Sequence, residues 1–107
     1  ITEREGSTFW ENLPEIFSLL KNIIKVDKKN YKAFYCLGKI YNKLEQQKLA
    51  LLNFNEAVRL NSKYIDTHLE LAKIYKSNNQ LDLAIEEYEE IISLNPKKIR
   101  EIEKYIE

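Results

Sequence analysis

Laying residues 31–64 on residues 65–98, a slide of 34, brings eleven identical residues into register without a gap. Leu37 meets Leu71, Lys39 meets Lys73, Ile40 meets Ile74 and Tyr41 meets Tyr75. Gln46, Leu49, Ala50, Glu56, Leu60, Asn61 and Lys63 likewise meet Gln80, Leu83, Ala84, Glu90, Leu94, Asn95 and Lys97. Conservative pairs fill the gaps: Gly38 with Ala72, Leu51 with Ile85, Phe54 with Tyr88. A chain built this way folds as a row of similar units, each burying its apolar face against the next.

Within each unit the apolar residues recur at helical spacing. Phe34, Leu37, Gly38 and Tyr41 form one stripe, and Ala50, Phe54, Ala57 and Val58 form a second. Polar breaks separate the two at Glu45-Gln46-Gln47 and at Ser77-Asn78-Asn79-Gln80. Asn61-Ser62 and Asn95-Pro96 close each unit, and Pro96 cannot continue a helix. Each unit is therefore expected to be an antiparallel hairpin of two helices about 20 Å long. The small residues Gly38, Ala72, Ala50, Ala84 and Ala57 mark places where helices approach closely. Phe54, Tyr88, Tyr41 and Tyr75 fill the space between them. With only two Gly and two Pro, the chain lacks the turns of an all-β fold and the loop of a phosphate site.

The frame extends both ways. Ile16, Leu20, Ile23, Val26 and Asp27 fall on Ala50, Phe54, Ala57, Leu60 and Asn61, so residues 12–30 read as the second helix of a partial unit. Residues 99–107 read as a closing amphipathic helix, with Ile99, Ile102 and Ile106 on one side and Tyr105 in its last turn. Residues 1–11 match poorly: Gly6 and Ser7 fall mid-helix, so this segment is expected to be short or irregular. Phe9 and Trp10 have no place in the frame: they are expected either to cover the N-terminal end of the core or to be left over from an upstream helix that once covered them.

The pattern bulky–x2–Leu–Gly/Ala–x2–Tyr, Ala–x3–aromatic–x2–Ala, Pro resembles the tetratricopeptide repeat. Residues 31–64 supply Phe34, Leu37, Gly38, Tyr41, Ala50, Phe54 and Ala57, with Ser62 at the proline place. Residues 65–98 supply Leu71, Ala72, Tyr75, Ala84, Tyr88 and Pro96, and depart at His68 and Ile91. The resemblance implies an all-α fold, antiparallel helix hairpins stacked as an α-α superhelix. It also implies a concave groove lined by first helices, in which a partner protein or peptide binds. The groove places correspond here to Lys32, Tyr35, Cys36, Lys39, Asn42 and Lys43, then Asp66, Leu69, Glu70, Lys73, Lys76 and Ser77. Lysines outnumber acids in this set, and residues 31–64 carry a net charge of +4 against −3 for residues 65–98. An acidic peptide along Lys32, Lys39, Lys43 and Lys73 is the expected ligand. One branch of the family clamps a C-terminal carboxylate with a Lys, Asn, Asn, Lys, Arg set. Tyr35, Lys39 and Glu70 stand where its first three members belong, so that mode is disfavoured.

Signals for chemistry are weak. Cys36 and His68 are the only thiol and imidazole. A nucleophile–base pair is conceivable, but the ordinary reading is a half-buried small residue and a packing substitute for an aromatic. Four zinc ligands cannot be assembled from them, and no metal or other cofactor is expected. The run Glu86, Glu87, Glu89, Glu90 falls opposite the Ala84–Tyr88–Ile91 stripe and reads as a solvated face. Phosphate-loop, zincin and nucleophile-elbow motifs are missing, so the chain is not read as an enzyme. Among the tyrosines, Tyr35 follows Phe34 and points toward the groove, whereas Tyr31 and Tyr64 flank helix starts and read as packing residues with wet hydroxyls.

Net charge is zero, from 17 basic and 17 acidic residues, which offers no long-range attraction for nucleic acid. The 34-residue spacing also argues against the related RNA-binding helical repeats. No apolar run approaches membrane length, and no secretory signal is visible. A lone cysteine suits a reducing, cytoplasmic setting. The chain starts at Ile1 without a Met and reads as a processed or excised piece, from which a targeting segment could have been removed. Self-association through open repeat ends is the second functional reading.

Overall fold

The computed structural model describes residues 2–106, with side chains described for residues 11–104. Among these residues there are six α-helices: α1 (Thr2–Val26), α2 (Tyr31–Lys43), α3 (Gln47–Leu60), α4 (Ile65–Ser77), α5 (Leu81–Leu94) and α6 (Ile99–Ile106). A 3-10 turn, Pro96–Lys98, joins α5 to α6. The fold is the expected all-α repeat, with α2 and α3 forming one hairpin and α4 and α5 the other. α1 packs on α2, and α3 packs on α4.

The turns repeat as faithfully as the stripes. At the end of each unit Asp27, Asn61 or Asn95 accepts a hydrogen bond from the backbone N–H two residues on, at 3.1, 3.1 and 3.2 Å. A short polar side chain closing its own turn is the reason Asp and Asn stop helices here. Inside each hairpin, Glu45 and Asn79 take a left-handed backbone, with φ 62° and 60°. The N–H of the next residue then reaches back to Tyr41 O at 2.9 Å and to Tyr75 O at 2.8 Å. That arrangement satisfies the carbonyls left open at the helix end.

The core is a series of seams between successive helices, as a solenoid requires. Leu20, Ala33, Leu37 and Ile40 fill the α1–α2 seam. Ala50, Phe54, Leu71 and Ile74 fill the next. Ala72, Ala84, Tyr88 and Ile91 form the last, with Ile102 of α6 set against them at 2% exposure. Gly38 is where the close approach is tightest: a Cβ there would lie 2.5 Å from the Phe54 ring.

Some expectations change. α1 is one helix from Thr2 to Val26, so residues 2–11 of the segment expected to be short or irregular are helical. A single Gly costs a helix about 1 kcal/mol, which is not enough to stop it. Pro14 lies inside α1, and described packing begins beside it, with Leu13, Ile16 and Phe17 lying against the α1–α2 seam. The side chains of Phe9, Trp10, Tyr105 and Ile106 fall outside those described, and so do the roles expected of them. Phe34 is half-buried while its neighbour Ala33 is buried, because the small side chain faces α1 directly.

Candidate partner-binding groove

The residues that the sequence assigns to a groove lie on α2 and α4, the first helices of the two hairpins. Lys32, Cys36, Lys39, Lys43, Asp66, Lys73, Lys76 and Ser77 are exposed, whereas Tyr35, Asn42, Leu69 and Glu70 are half-buried. Tyr35 is the centre of the set. Its ring lies 5.9 Å from Phe54 and meets Tyr64 edge-on at 5.3 Å. Tyr64 in turn meets Tyr31 at 5.1 Å, again edge to face. These distances suit the quadrupoles of paired aromatic rings. The Nζ of Lys39 stands 5.6 Å above the Tyr35 ring, a cation–π contact.

Glu70 and Asp66 of α4 act on the same group from the other side. Burial first, then the negative charges of Glu70 and Asp66, raise the Tyr35 hydroxyl well above its ordinary pKa. Tyr64 is raised in the same way, by burial and by its contact with Asp66. Both hydroxyls therefore hold their protons to a higher pH than an ordinary tyrosine. The structure thus brings Tyr35, Lys39, Asp66 and Glu70 together with Tyr64 and Tyr31. The last two looked like helix-end residues in the sequence. Their signal was positional: Tyr31 and Tyr64 both sit where the chain enters a first helix.

The rest of the set spreads out. Lys32 and Cys36 border a shallow open depression of about 230 Å³ toward α1, floored by Leu20, Ile23 and Ala33. Leu69 packs against the last seam, and with Asp66 it lines a cleft shared with Lys98, Glu101 and Ile102 beside α6. That end of the surface is shaped by the closing helix as much as by α4.

His68 and Glu87 form a feature that the sequence did not reveal. His68 Nδ1 lies 2.7 Å from Glu87 Oε1, and Nε2 lies 2.7 Å from the carbonyl oxygen of Ser62. Both ring nitrogens face acceptors, so the doubly protonated ring satisfies both. The Glu87 contact is the main cause that raises the His68 pKa above 6.5, against the opposing effect of burial. His68 is thus a buried tie between α4, α5 and the turn before α4, rather than a substitute for an aromatic. With both nitrogens engaged it is not poised to activate the exposed thiol of Cys36. Glu86, Glu89 and Glu90 are solvated as expected, whereas Glu87 turns inward to His68. Among the described residues no three His, Cys, Asp or Glu side chains gather as metal ligands, and no helix is long and apolar enough to cross a membrane.

Stacked helix hairpins presenting a continuous side-chain surface define a repeat scaffold of the protein-interaction class. The tetratricopeptide repeat model matches residues 31–64 and 65–98, and the chain belongs to that family. Among solved structures it is similar to the crystal structure of MamA, with 34% identity and a TM-score of 0.72. The match covers 89% of this chain and 57% of the MamA chain. A search of curated proteins finds no match.

Proposed function

We propose that this scaffold binds an extended, acidic segment of a partner protein across α2 and α4, with Tyr35 as the anchor. The family supports protein–protein interaction in general. The observation that carries the finer reading is the part-exposed cluster of Tyr31, Tyr64 and Tyr35 with Lys39 stacked upon it. Aromatic rings fixed by their neighbours offer contact area at little entropic cost, which is why such residues dominate binding energy. Exposed Lys32 and Lys39 add positive charge on the α2 side. Asp66 and Glu70 set a polarity, so that an acidic ligand is held toward α2 and repelled from the start of α4. This role requires no catalysis.

The test is an array of acidic, neutral and basic peptides probed with the intact chain. Acidic peptides should be retained, with affinity falling as salt rises. Replacing Lys39→Glu and Lys73→Glu together should weaken retention about tenfold or more, the size expected for two charge reversals at a polar rim. Unchanged affinity and salt dependence in the double variant would sink the reading.

A further inference from the structure

The turns that enter the two first helices have the same build but are held in different ways. Before α2, Lys29 N–H donates to Asp27 Oδ1 at 3.1 Å, and the Asn30 side chain caps the helix, accepting from Ala33 N–H at 3.1 Å. Before α4, Lys63 N–H donates to Asn61 Oδ1 at 3.1 Å, but Tyr64 stands in the place of Asn30 and makes no side-chain cap. Its ring is turned to Tyr31 and Tyr35 instead. The missing hold comes from within the first turn of α4. His68 Nε2 lies 2.7 Å from the carbonyl oxygen of Ser62, inside the entry turn, while Nδ1 lies 2.7 Å from Glu87 Oε1. Phe34, at the same place in the first hairpin, has no side-chain group to donate. The histidine thus stands in for a cap at the turn whose cap residue is a ring of the aromatic cluster.

A neutral imidazole keeps one N–H and cannot donate to both acceptors. The bond to a carboxylate is charge-assisted and is the stronger of the two, so the remaining proton stays on Nδ1. Nε2 then presents a lone pair to the Ser62 oxygen, and two acceptors at that distance repel. Loss of one proton therefore releases the turn and leaves the tie to α5 intact. The surrounding charges set when this happens. From α5, Glu87 is in contact and Glu90 adds negative charge; with the Ser62 carbonyl they outweigh burial and raise the His68 pKa above 6.5. Lys63 of the turn is exposed, Glu56 and Arg59 of α3 pair with each other, and Asp66 of α4 is turned to Tyr64. Beside α6, Lys98 and Glu101 form their own pair. The Tyr35 and Tyr64 hydroxyls are raised above their ordinary range, so between pH 6 and pH 9 these rings keep their charge state.

We propose that His68 is a proton-operated latch on the turn that carries Tyr64. Doubly protonated, it holds the turn and fixes the Tyr64 ring against Tyr31 and Tyr35. Neutral, it lets the turn go and the rings loosen. The latch is a property of the chain itself, and its effect on a partner rests on the groove reading: a segment anchored at Tyr35 binds more tightly when the rings are held in place beforehand.

Nuclear magnetic resonance of the whole chain from pH 6 to pH 9 reads the latch without a ligand. The His68 ring nitrogens should show Nε2 giving up its proton while Nδ1 keeps its own. Contacts between the ring protons of Tyr64 and those of Tyr31 and Tyr35 should weaken with the same midpoint. Glu90→Gln removes one negative charge without touching the imidazole, so both midpoints should move down together. His68→Phe, which copies the first hairpin, should leave the ring contacts weak and independent of pH. Circular dichroism at each pH checks that the helices stay formed. Ring contacts that persist unchanged through the His68 titration overturn the proposal. So does loss of the proton from Nδ1, or a Glu90→Gln chain in which the two midpoints part. A hexaglutamate peptide then reads the consequence for a partner. Its affinity should fall about two- to tenfold from pH 6 to pH 9, the change expected from one hydrogen bond, and His68→Phe should abolish the fall. A peptide that does not bind at any pH sinks the groove reading alone, since the ring contacts decide the latch by themselves. Equal affinity at both pH values while the rings loosen overturns the effect on a partner.

Discussion

In the first hairpin Gly38 lets the ring of Phe54 close onto the backbone of α2, and Phe54 is 0% exposed. In the second, Ala72 and Tyr88 hold the equivalent places in a cluster that also takes in Ile91 and Ile102. The first hairpin has Ala57 where the second has Ile91. Each of these three places holds a larger residue in the second hairpin, yet both hairpins bury all three. A repeat frame therefore fixes which places face the core, and the volume each place holds is set by its own neighbours.

The largest way to break this comparison is to exchange the small residues. Gly38→Ala gains about 1 kcal/mol of helix propensity. It also places a methyl group 2.5–2.9 Å from three atoms of a buried ring that has nowhere to move. Overpacking of this kind costs about 1–3 kcal/mol. The expected outcome is net destabilisation, seen as a lower urea midpoint, whereas Ala72→Gly should lose only about 1 kcal/mol. A Gly38→Ala chain more stable than the wild type would show that the Phe54 contact does not set the identity of residue 38.

The hairpins differ again at the start of their first helices, where Phe34 of one corresponds to His68 of the other. Phe34 needs no partner. His68 has two, Glu87 and the Ser62 carbonyl, with Glu90 adding negative charge nearby. Its folded pKa lies above the unfolded value near 6.5. Stabilisation from a raised pKa is complete below the unfolded value and is lost as pH rises through the folded one. Denaturation midpoints should therefore fall on going from pH 6 to pH 8 or above. His68→Phe, which makes the second hairpin resemble the first, should remove most of that slope. The effect should be smaller than that of Gly38→Ala, since it concerns one partly solvated contact. A slope that survives the substitution would place its origin elsewhere.

The two features were not equally legible. Gly38 and Ala72 announced themselves because the 34-residue frame placed small residues opposite Phe54 and Tyr88. His68 looked like a departure from an aromatic position, and Glu87 looked like one acid in a solvated run. A helical wheel assigns each residue a direction on its own helix. It does not say that a side chain on α4 can reach one on α5 nineteen positions away. The proposed groove was half legible for the same reason: the wheel pointed to Tyr35 but not to the rings it meets, Tyr64 and through it Tyr31, which sit where the chain enters the helices. The continuity of α1 was hidden by Gly6, Ser7 and Pro14, whose local cost the helix absorbs. Leu69 holds a groove place in the frame, and the frame alone did not show that it also packs against the last seam beside α6.

The smallest difference between the hairpins is at their tight turns, and it isolates backbone from packing. Glu45 and Asn79 share a left-handed φ near 60° and the same reach-back of the following N–H. Both side chains are exposed, so neither contributes burial. For most L-residues this conformation crowds Cβ against the carbonyl, and Asn tolerates it better than Glu does. The first hairpin therefore holds a strain that the second avoids. Glu45→Asn should raise stability by about 0.5 kcal/mol, and Asn79→Glu should lower it by a similar amount. Paired thermal melts of the two variants measure this directly. Equal and opposite shifts would show that the turns are interchangeable units of the repeat. Shifts in the same direction would show instead that each turn is tuned to its own hairpin, through contacts such as that of Asn78 with Gln47, 2.6 Å apart across the junction of the two repeats.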